Sequence, residues 1–386
     1  MNTLWQEALD FSLKKIEASI NTLEGFPDRC AGSEWTLVKN DRHSRHWVDG
    51  FWVGQLWLAY AYTKDSKFED AARDWTQRLS WLKTTTGTHD LGFIFYLSNV
   101  LGAYATGDER LFENALTASE TFTKRYNPRG EYLLAWGDEN GDIHGTPYQR
   151  GKINIDLMMN LSLLFWATAQ SSDPKYARIA ARHARTSRYA LIRPDNSTSQ
   201  VADFNPETGA FLRQETLQGR SHATCWSRGQ AWGLYGFAET YRRTGDVAFL
   251  HNARRLGEYV IANAPEDKVP FWDYDALDIP NTYRDSSAAA VFAAGFLELA
   301  DGEKDPVLAE KWRTEAEVIT KSLWENYSTR DVDMPCILKE GSVTVPHDQM
   351  DHGLIYGDYY FVEALIRLLR PELIEELFPR PVLETG

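Results

Sequence analysis

One pattern recurs along this chain and leaves few folds open to it. An apolar helix runs into a polar turn, and an amphipathic helix begins a few residues later at an aromatic residue or a leucine. The copies are LWLAYAYTKDSKFEDAARDW, LGAYATGDERLFENALTASE, LFWATAQSSDPKYARIAARH, FAETYRRTGDVAFLHNARRL and FLELADGEKDPVLAEKWRTE. In each turn an aspartate (Asp65, Asp108, Asp173, Asp246, Asp305) stands where the second helix wants an N-cap or Asx-turn oxygen, and capping is the role expected of all five.

The first helix of each pair is apolar nearly all round, as in DLGFIFYLSNVLGAYA and SSAAAVFAAGFLELA, so it must be buried. The second has one apolar and one charged face. Buried helices inside and amphipathic helices outside make a two-layer toroid. GDYYFVEALIRLL near the C-terminus supplies a sixth inner helix, and LWQEALDFSLKKIEASI at the N-terminus supplies its outer mate. The expectation is an all-α fold, an (α/α)6 barrel, with strands confined to short loop hairpins such as GEYLLAW. No Pro/Gly/Ser-rich linker divides the chain, so residues 1–386 read as one catalytic domain.

Charge narrows the partners. The net charge of −14 argues against nucleic acid or an anionic membrane, and obliges any acidic ligand to find a local cation. Three cysteines (Cys30, Cys225, Cys336) without C-x-x-C spacing read as free thiols in a reducing compartment. The opening residues carry no apolar stretch of a signal peptide, and no apolar run spans a membrane, so the expected address is the cytoplasm. His43 and His46 have no third ligand nearby, and no Gly-rich phosphate loop or G-x-S-x-G elbow occurs. Neither metal nor cofactor is expected.

Residues able to do chemistry gather before or at the start of the inner helices: HWVDGFWVG, THDLGF, NIDLMMN, CWSRGQAW, YRDSSAAA and IYGDYY. Inner helices of an alternating toroid all run the same way, so their N-termini meet at one mouth with their positive dipole ends, which suits an anion. Asp90 and Asp156 are acidic residues among apolar neighbours at two such starts. Either alone could be an N-cap. Together they suit acid catalysis, in which one enclosed carboxyl keeps its proton while the other stays ionised. Of fourteen tryptophans, Trp47 and Trp226 lie where an indole could stack on a sugar ring, whereas Trp57 reads as core. Arg228 could grip a ligand carboxylate or a local acid. Gln218 is a loop residue within reach of the same pit.

HDLGF, NIDLMMN, W-S-R-G-Q-A-W, D-S-S-A and I-x-G-D-Y-Y-x-x-E-A-L, in this order from about Trp47 to Leu369, resemble the signatures of the unsaturated glucuronyl hydrolases of glycoside hydrolase family 88. The resemblance implies action on lyase-generated oligosaccharides ending in a 4,5-unsaturated uronic acid. The enzyme would hydrate the enol ether double bond: Asp156 as general acid/base protonates C4 and activates the water that adds at C5. Asp90 would be the second carboxylate, and Trp47, His89, Gln218, Trp226, Arg228 and Trp232 would line the pocket. Two departures stand out. Gln200 replaces a family histidine before DFNPETG; as a pocket residue it could hold a ring hydroxyl but could not titrate, and a solvated loop position is the alternative. Val343, Pro346 and Asp348 replace a Ser-x-x-Ser-x-Lys run associated with sulfated substrates, so unsulfated uronides are expected. A monomer or homodimer fits. The related unsaturated rhamnogalacturonyl hydrolases, a conventional glycosidase and a sugar epimerase share the toroid and remain alternatives on fold alone.

Overall fold

The structure, a computed structural model, describes residues 2–39, 46–136 and 150–385. The expected pairs are present. Five turn-linked pairs run in order: α2 (Asp49–Thr63) with α3 (Ser66–Leu79); α4 (Leu91–Phe95) and α5 (Leu101–Thr106) with α6 (Arg110–Thr123); α7 (Leu157–Ser171) with α8 (Lys175–Leu191); α9 (Ser227–Thr244) with α10 (Val247–Asn263); and α11 (Ser286–Gly302) with α12 (Pro306–Ser322). The sixth inner helix, α13 (Ile355–Leu369), packs against α1 (Asn2–Ile20), α2 and α11, which closes the ring. A short α14 (Pro371–Leu377) follows.

The turn aspartates act as read. Asp65, Asp108, Asp173, Asp246 and Asp305 each accept the N–H two residues on, at 3.1, 3.3, 2.9, 3.0 and 2.9 Å. Each such bond satisfies one of the donors that a helix start leaves over.

One apolar run is not a regular helix. DLGFIFYLSNVLGAYA widens into a π-helical turn at Tyr96–Val100, where Leu101 N–H reaches back to Tyr96 O. Side chains of this stretch are buried throughout, so apolar periodicity could not register the extra residue in the turn.

Strands are short and lie in loops. β3 (Tyr126–Asn127) and β4 (Tyr132–Leu133) form the hairpin expected from GEYLLAW. β1 (Pro27–Cys30) lies between β2 (Trp35–Leu37) and β8 (Gly353–Leu354). β5 (Lys152–Asn154), β6 (Val201–Phe204) and β7 (Phe211–Glu215) make an antiparallel sheet in which β5 runs straight into the start of α7.

The inner helices approach closely at their N-terminal ends because glycines stand at the crossings. A Cβ on Gly92 would collide with the backbone of Asn160, and one on Gly50 with the carbonyl of Phe93. The far end of the barrel is shut by buried charge. Arg380, in the C-terminal segment, pairs with Glu239 at 2.7 Å and Glu298 at 2.8 Å, while Arg243 holds Glu239 at 2.8 Å. A small axial cavity between Phe93 and Arg380 lies beneath the mouth. The inner helices begin at the opposite end from these charges.

Candidate active site

Three aspartates occupy N-cap positions at this mouth, and they behave differently. Asp285 caps α11: its Oδ1 accepts from Ser287 N–H at 3.2 Å and Ala288 N–H at 3.3 Å. Asp90 and Asp156 stand in the same position before α4 and α7, yet neither side chain caps its helix. The capping explanation for these two carboxylates fails on geometry. Neither carboxylate is taken up by the N–H groups of the helix it precedes.

Asp156 follows directly on β5. Asn154 Nδ2 donates to its Oδ2 at 3.2 Å, and its Oδ1 is shut off from solvent without a hydrogen-bond partner. Burial, and next the charge of Asp90, raise the Asp156 carboxyl to about 7; its own backbone N–H and the Arg228 guanidinium pull less strongly the other way. Asp90 is held from three sides. Thr88 Oγ1 donates to its Oδ2 at 3.0 Å, Asn160 Nδ2 to its Oδ1 at 3.4 Å, and His89 Nε2 lies 3.4 Å from Oδ1.

His89 is buried beside Asp90. Its Nδ1 accepts the N–H of Trp136 at 3.1 Å, which leaves Nε2 as the protonated nitrogen of a neutral ring. Nε2 can therefore donate towards Asp90 Oδ1 at 3.4 Å, and Asn154 Nδ2, 3.0 Å away and itself a donor, is a neighbour and not a hydrogen-bond partner. Burial foremost, with the Arg125 charge adding to it against the pull of Asp90, lowers the imidazole to about 4, so the ring stays neutral near pH 7.

Aromatic rings wall one side. Trp47, in the short turn His46–Val48, keeps part of its surface open and packs on Tyr356 at 5.0 Å and Phe51 at 5.8 Å. Tyr356 in turn lies 5.2 Å from the Arg228 guanidinium, whose other neighbour is the Trp226 ring at 4.5 Å.

The remaining predicted pocket residues other than Gln218 lie deeper in the protein. Arg228 is 1% exposed and committed to protein: it pairs with Asp285 at 2.5 Å and donates to the carbonyls of Ser342 and Val343. It holds the loop before α13, which is the local-acid role expected of it as one of two. Trp226 is 3% exposed and Trp232 1%; Trp232 lies below the mouth against Phe93 and Tyr360. Both rings are packed against protein. Gln200 is also buried, so it is no solvated loop residue, and both of its polar atoms are bonded to protein. Gln218, half-buried, donates to Val343 O at 2.8 Å. Trp57 is core, as read, and all three cysteines are free and buried. His43 lies outside the described residues; His46 Nδ1 is 2.8 Å from Asp49. Among the described residues no group of three or more His, Cys, Asp or Glu side chains is placed to hold a metal ion.

Sequence reasoning missed Asn154, Asn160, Thr88 and Trp136. Asn154 and Asn160 lie inside NIDLMMN, two residues before and four after Asp156, and helical spacing alone puts Asn160 on the same face. Trp136 had no local signal, since its contact with His89 spans 47 residues.

A helical toroid whose mouth holds two uncapped carboxylates beside a half-open indole is the arrangement of a carbohydrate-active enzyme. The chain belongs to Glycosyl Hydrolase Family 88, whose family model matches residues 26–367. It is similar to the unsaturated glucuronyl hydrolase of Bacillus sp. (strain GL1), 36% identical over 376 residues that cover 95% of this chain and 97% of that protein. It is also similar to the unsaturated chondroitin disaccharide hydrolase of Streptococcus agalactiae serotype III (strain NEM316), at 32% identity over 95% of this chain and 91% of that one. The crystal structure of the Bacillus sp. GL1 enzyme superposes with a TM-score of 0.89 at 34% identity, covering 95% and 97% of the two chains. That of an unsaturated glucuronyl hydrolase specific for heparin gives 0.86 at 29% identity, over 96% and 98%.

Proposed function

We propose that this chain releases the 4,5-unsaturated uronic acid from the non-reducing end of lyase-generated oligosaccharides by hydrating the enol ether double bond. The observation that carries the reading is the Asp156 carboxyl, withheld from capping and raised to about 7. An acid of that strength can give a proton to carbon near neutrality and, once ionised, take one from water. In this mechanism Asp156 protonates C4 and then activates the water that adds at C5. The hemiketal so formed opens and expels the rest of the sugar chain. The Asp90 charge helps to keep Asp156 protonated, and Asp90 itself positions the ring. Trp47 stacks on the sugar, and Gln218 donates to it. His89, Gln200, Trp226, Arg228 and Trp232 act from behind, by holding these groups in place.

The closing of the ring between α1 and α13 supports one catalytic unit over 1–386, and a monomer or homodimer is part of the proposal. Three free, buried cysteines support a cytoplasmic address. No helix among the described residues is long and apolar enough to cross a membrane. Pro346 and Asp348 stand exposed where a sulfate-binding run would lie and bring no cation, which supports unsulfated uronides as substrates.

Disaccharides made by lyases from hyaluronan, chondroitin, heparin, gellan and pectin, followed by loss of the ultraviolet absorbance of the conjugated enol ether, test this directly. Turnover of a glucuronate-derived substrate by the wild type and not by Asp156→Asn is the expected result. Turnover of the pectin product alone would move the chain to the rhamnogalacturonyl reading, and turnover of none would remove the proposal.

A further inference from the structure

Two side chains at the edge of the mouth are ordered by a chain of hydrogen bonds with only one possible direction. Gln200 lies at the start of β6, and its backbone carbonyl accepts Ile155 N–H at 2.9 Å, next to Asp156. Its side-chain Oε1 accepts three donors: Leu217 N–H at 2.7 Å, Gln218 N–H at 2.8 Å and Thr216 Oγ1 at 2.8 Å. Two of these are backbone amides, which can only donate, so the oxygen of the Gln200 amide is placed without ambiguity. Its Nε2 must then point the other way, where it donates to Gln218 Oε1 at 2.6 Å. That in turn fixes the second amide, whose Nε2 donates to Val343 O at 2.8 Å, a carbonyl that can only accept. Both ends of the chain agree.

The same Val343 carbonyl accepts from Arg228 Nη2 at 2.7 Å, so the chain ends on the loop that Arg228 and Asp285 hold. An amide nitrogen carries two hydrogens. One hydrogen on Gln218 Nε2 goes to Val343, and the other, on a half-buried side chain, meets no acceptor among the described residues.

We infer that Gln200 is a positioning residue: it holds the 216–218 turn and sets the Gln218 amide so that Gln218 meets the sugar as a donor. The inference rests on the uronide-hydrolase reading for its substrate and on geometry for the rest. Only an amide at position 200 satisfies all four bonds. A carboxylate keeps the three accepted bonds and loses the donated one, and it faces Gln218 Oε1 with a repelling oxygen. A thioether keeps the shape and loses everything polar.

The test uses Gln200→Met, Gln200→Glu, Gln218→Met and the double variant Gln200→Met/Gln218→Met in the full chain, with two readouts. The first is amide hydrogen exchange of Leu217 and Gln218, which needs no substrate. Protection should fall in Gln200→Met and persist in Gln200→Glu. The second is steady-state kinetics on an unsaturated disaccharide. Both Gln200 variants should raise KM about 3- to 10-fold with kcat nearly unchanged, the scale of one lost hydrogen bond. The double variant should be no worse than Gln218→Met alone, because both act through one group. Multiplicative losses in the double variant, or an unchanged KM in Gln200→Glu, would overturn the inference. If the wild type turns over no unsaturated disaccharide, the functional reading fails, and the exchange readout still decides whether Gln200 holds the turn. Should Gln200→Met not fold, comparing KM in Gln200→Glu and Gln218→Met decides the same question.

Discussion

Asn160, one helical turn after Asp156 on the same inner helix, donates to Oδ1 of Asp90 at 3.4 Å while its own Oδ1 accepts Phe93 N–H at 2.8 Å. One amide thus fastens the start of α4 to the face of α7 and brings the two carboxylates together. Replacing it by leucine strips a buried N–H and releases Asp90. Asn160→Leu should cost about 1–3 kcal/mol in stability, the penalty for an orphaned buried donor. Chemical denaturation measures the loss, and kcat should fall with it; an active variant of unchanged stability would show that Asn160 fastens nothing.

Asp156→Asn should reduce kcat by about 10²–10⁴-fold, the usual contribution of a general acid–base group. Its effect on stability runs the opposite way. Folding raises this carboxyl from 3.8 to about 7, so between those pH values the folded state holds a proton that the unfolded state has lost. Wild-type stability therefore falls as pH rises across that window, and the penalty is complete above about 7. Asn carries no such penalty. The variant should gain on the wild type as pH climbs from 4 to 8, and denaturation series at several pH values would reveal a flat difference if the shift is absent.

Asp90→Asn removes the charge that adds to burial in raising Asp156. The basic limb of kcat/KM, set by loss of the Asp156 proton, should move to lower pH without reaching an ordinary aspartate value, because burial remains. Apparent values belong to the coupled pair. A basic limb that stays in place would mean that Asp90 does not act on Asp156 through charge.

Arg228 and Asp285 form a buried pair at 2.5 Å. Breaking such a pair leaves an uncompensated charge and costs about 3–5 kcal/mol. Arg228→Met should be destabilised by that amount, and Arg228→Met/Asp285→Asn by less than the sum of the single changes. Additive losses in a double-mutant cycle would show that the two side chains are independent.

The tryptophans separate by burial. Trp47→Ala should raise KM more than it lowers the melting temperature, since part of the side chain is open to solvent. Trp232→Ala should cost about 3–5 kcal/mol of stability, as for a large core side chain. The opposite pattern in paired thermal melts and KM values would exchange their roles.

The architecture was legible because it is periodic and local. Six apolar helices, five capped turns and an N-terminal helix left over without a mate allow one closed arrangement, and capping acts over two or three residues. The site was legible in outline for the same reason: parallel inner helices carry Asp90 and Asp156 to one end. Only the tertiary structure decided which of the mouth residues are taken up by protein partners. Asp90, Asp156 and Asp285 are each an aspartate at an inner-helix start, and apolar neighbours set only the first two apart in sequence. Asp285 is consumed by its helix and by Arg228, 57 residues away, and the other two are left over. The uses of Arg228, Gln200 and Trp226 were equally hidden, because their partners come from the loop at 342–343, the turn at 216–218 and the loop that carries Asp273. Periodicity reports which face of an element is buried. It does not report which distant backbone carbonyl or carboxylate has already taken a donor, and that prior claim decides whether a polar side chain meets substrate or protein.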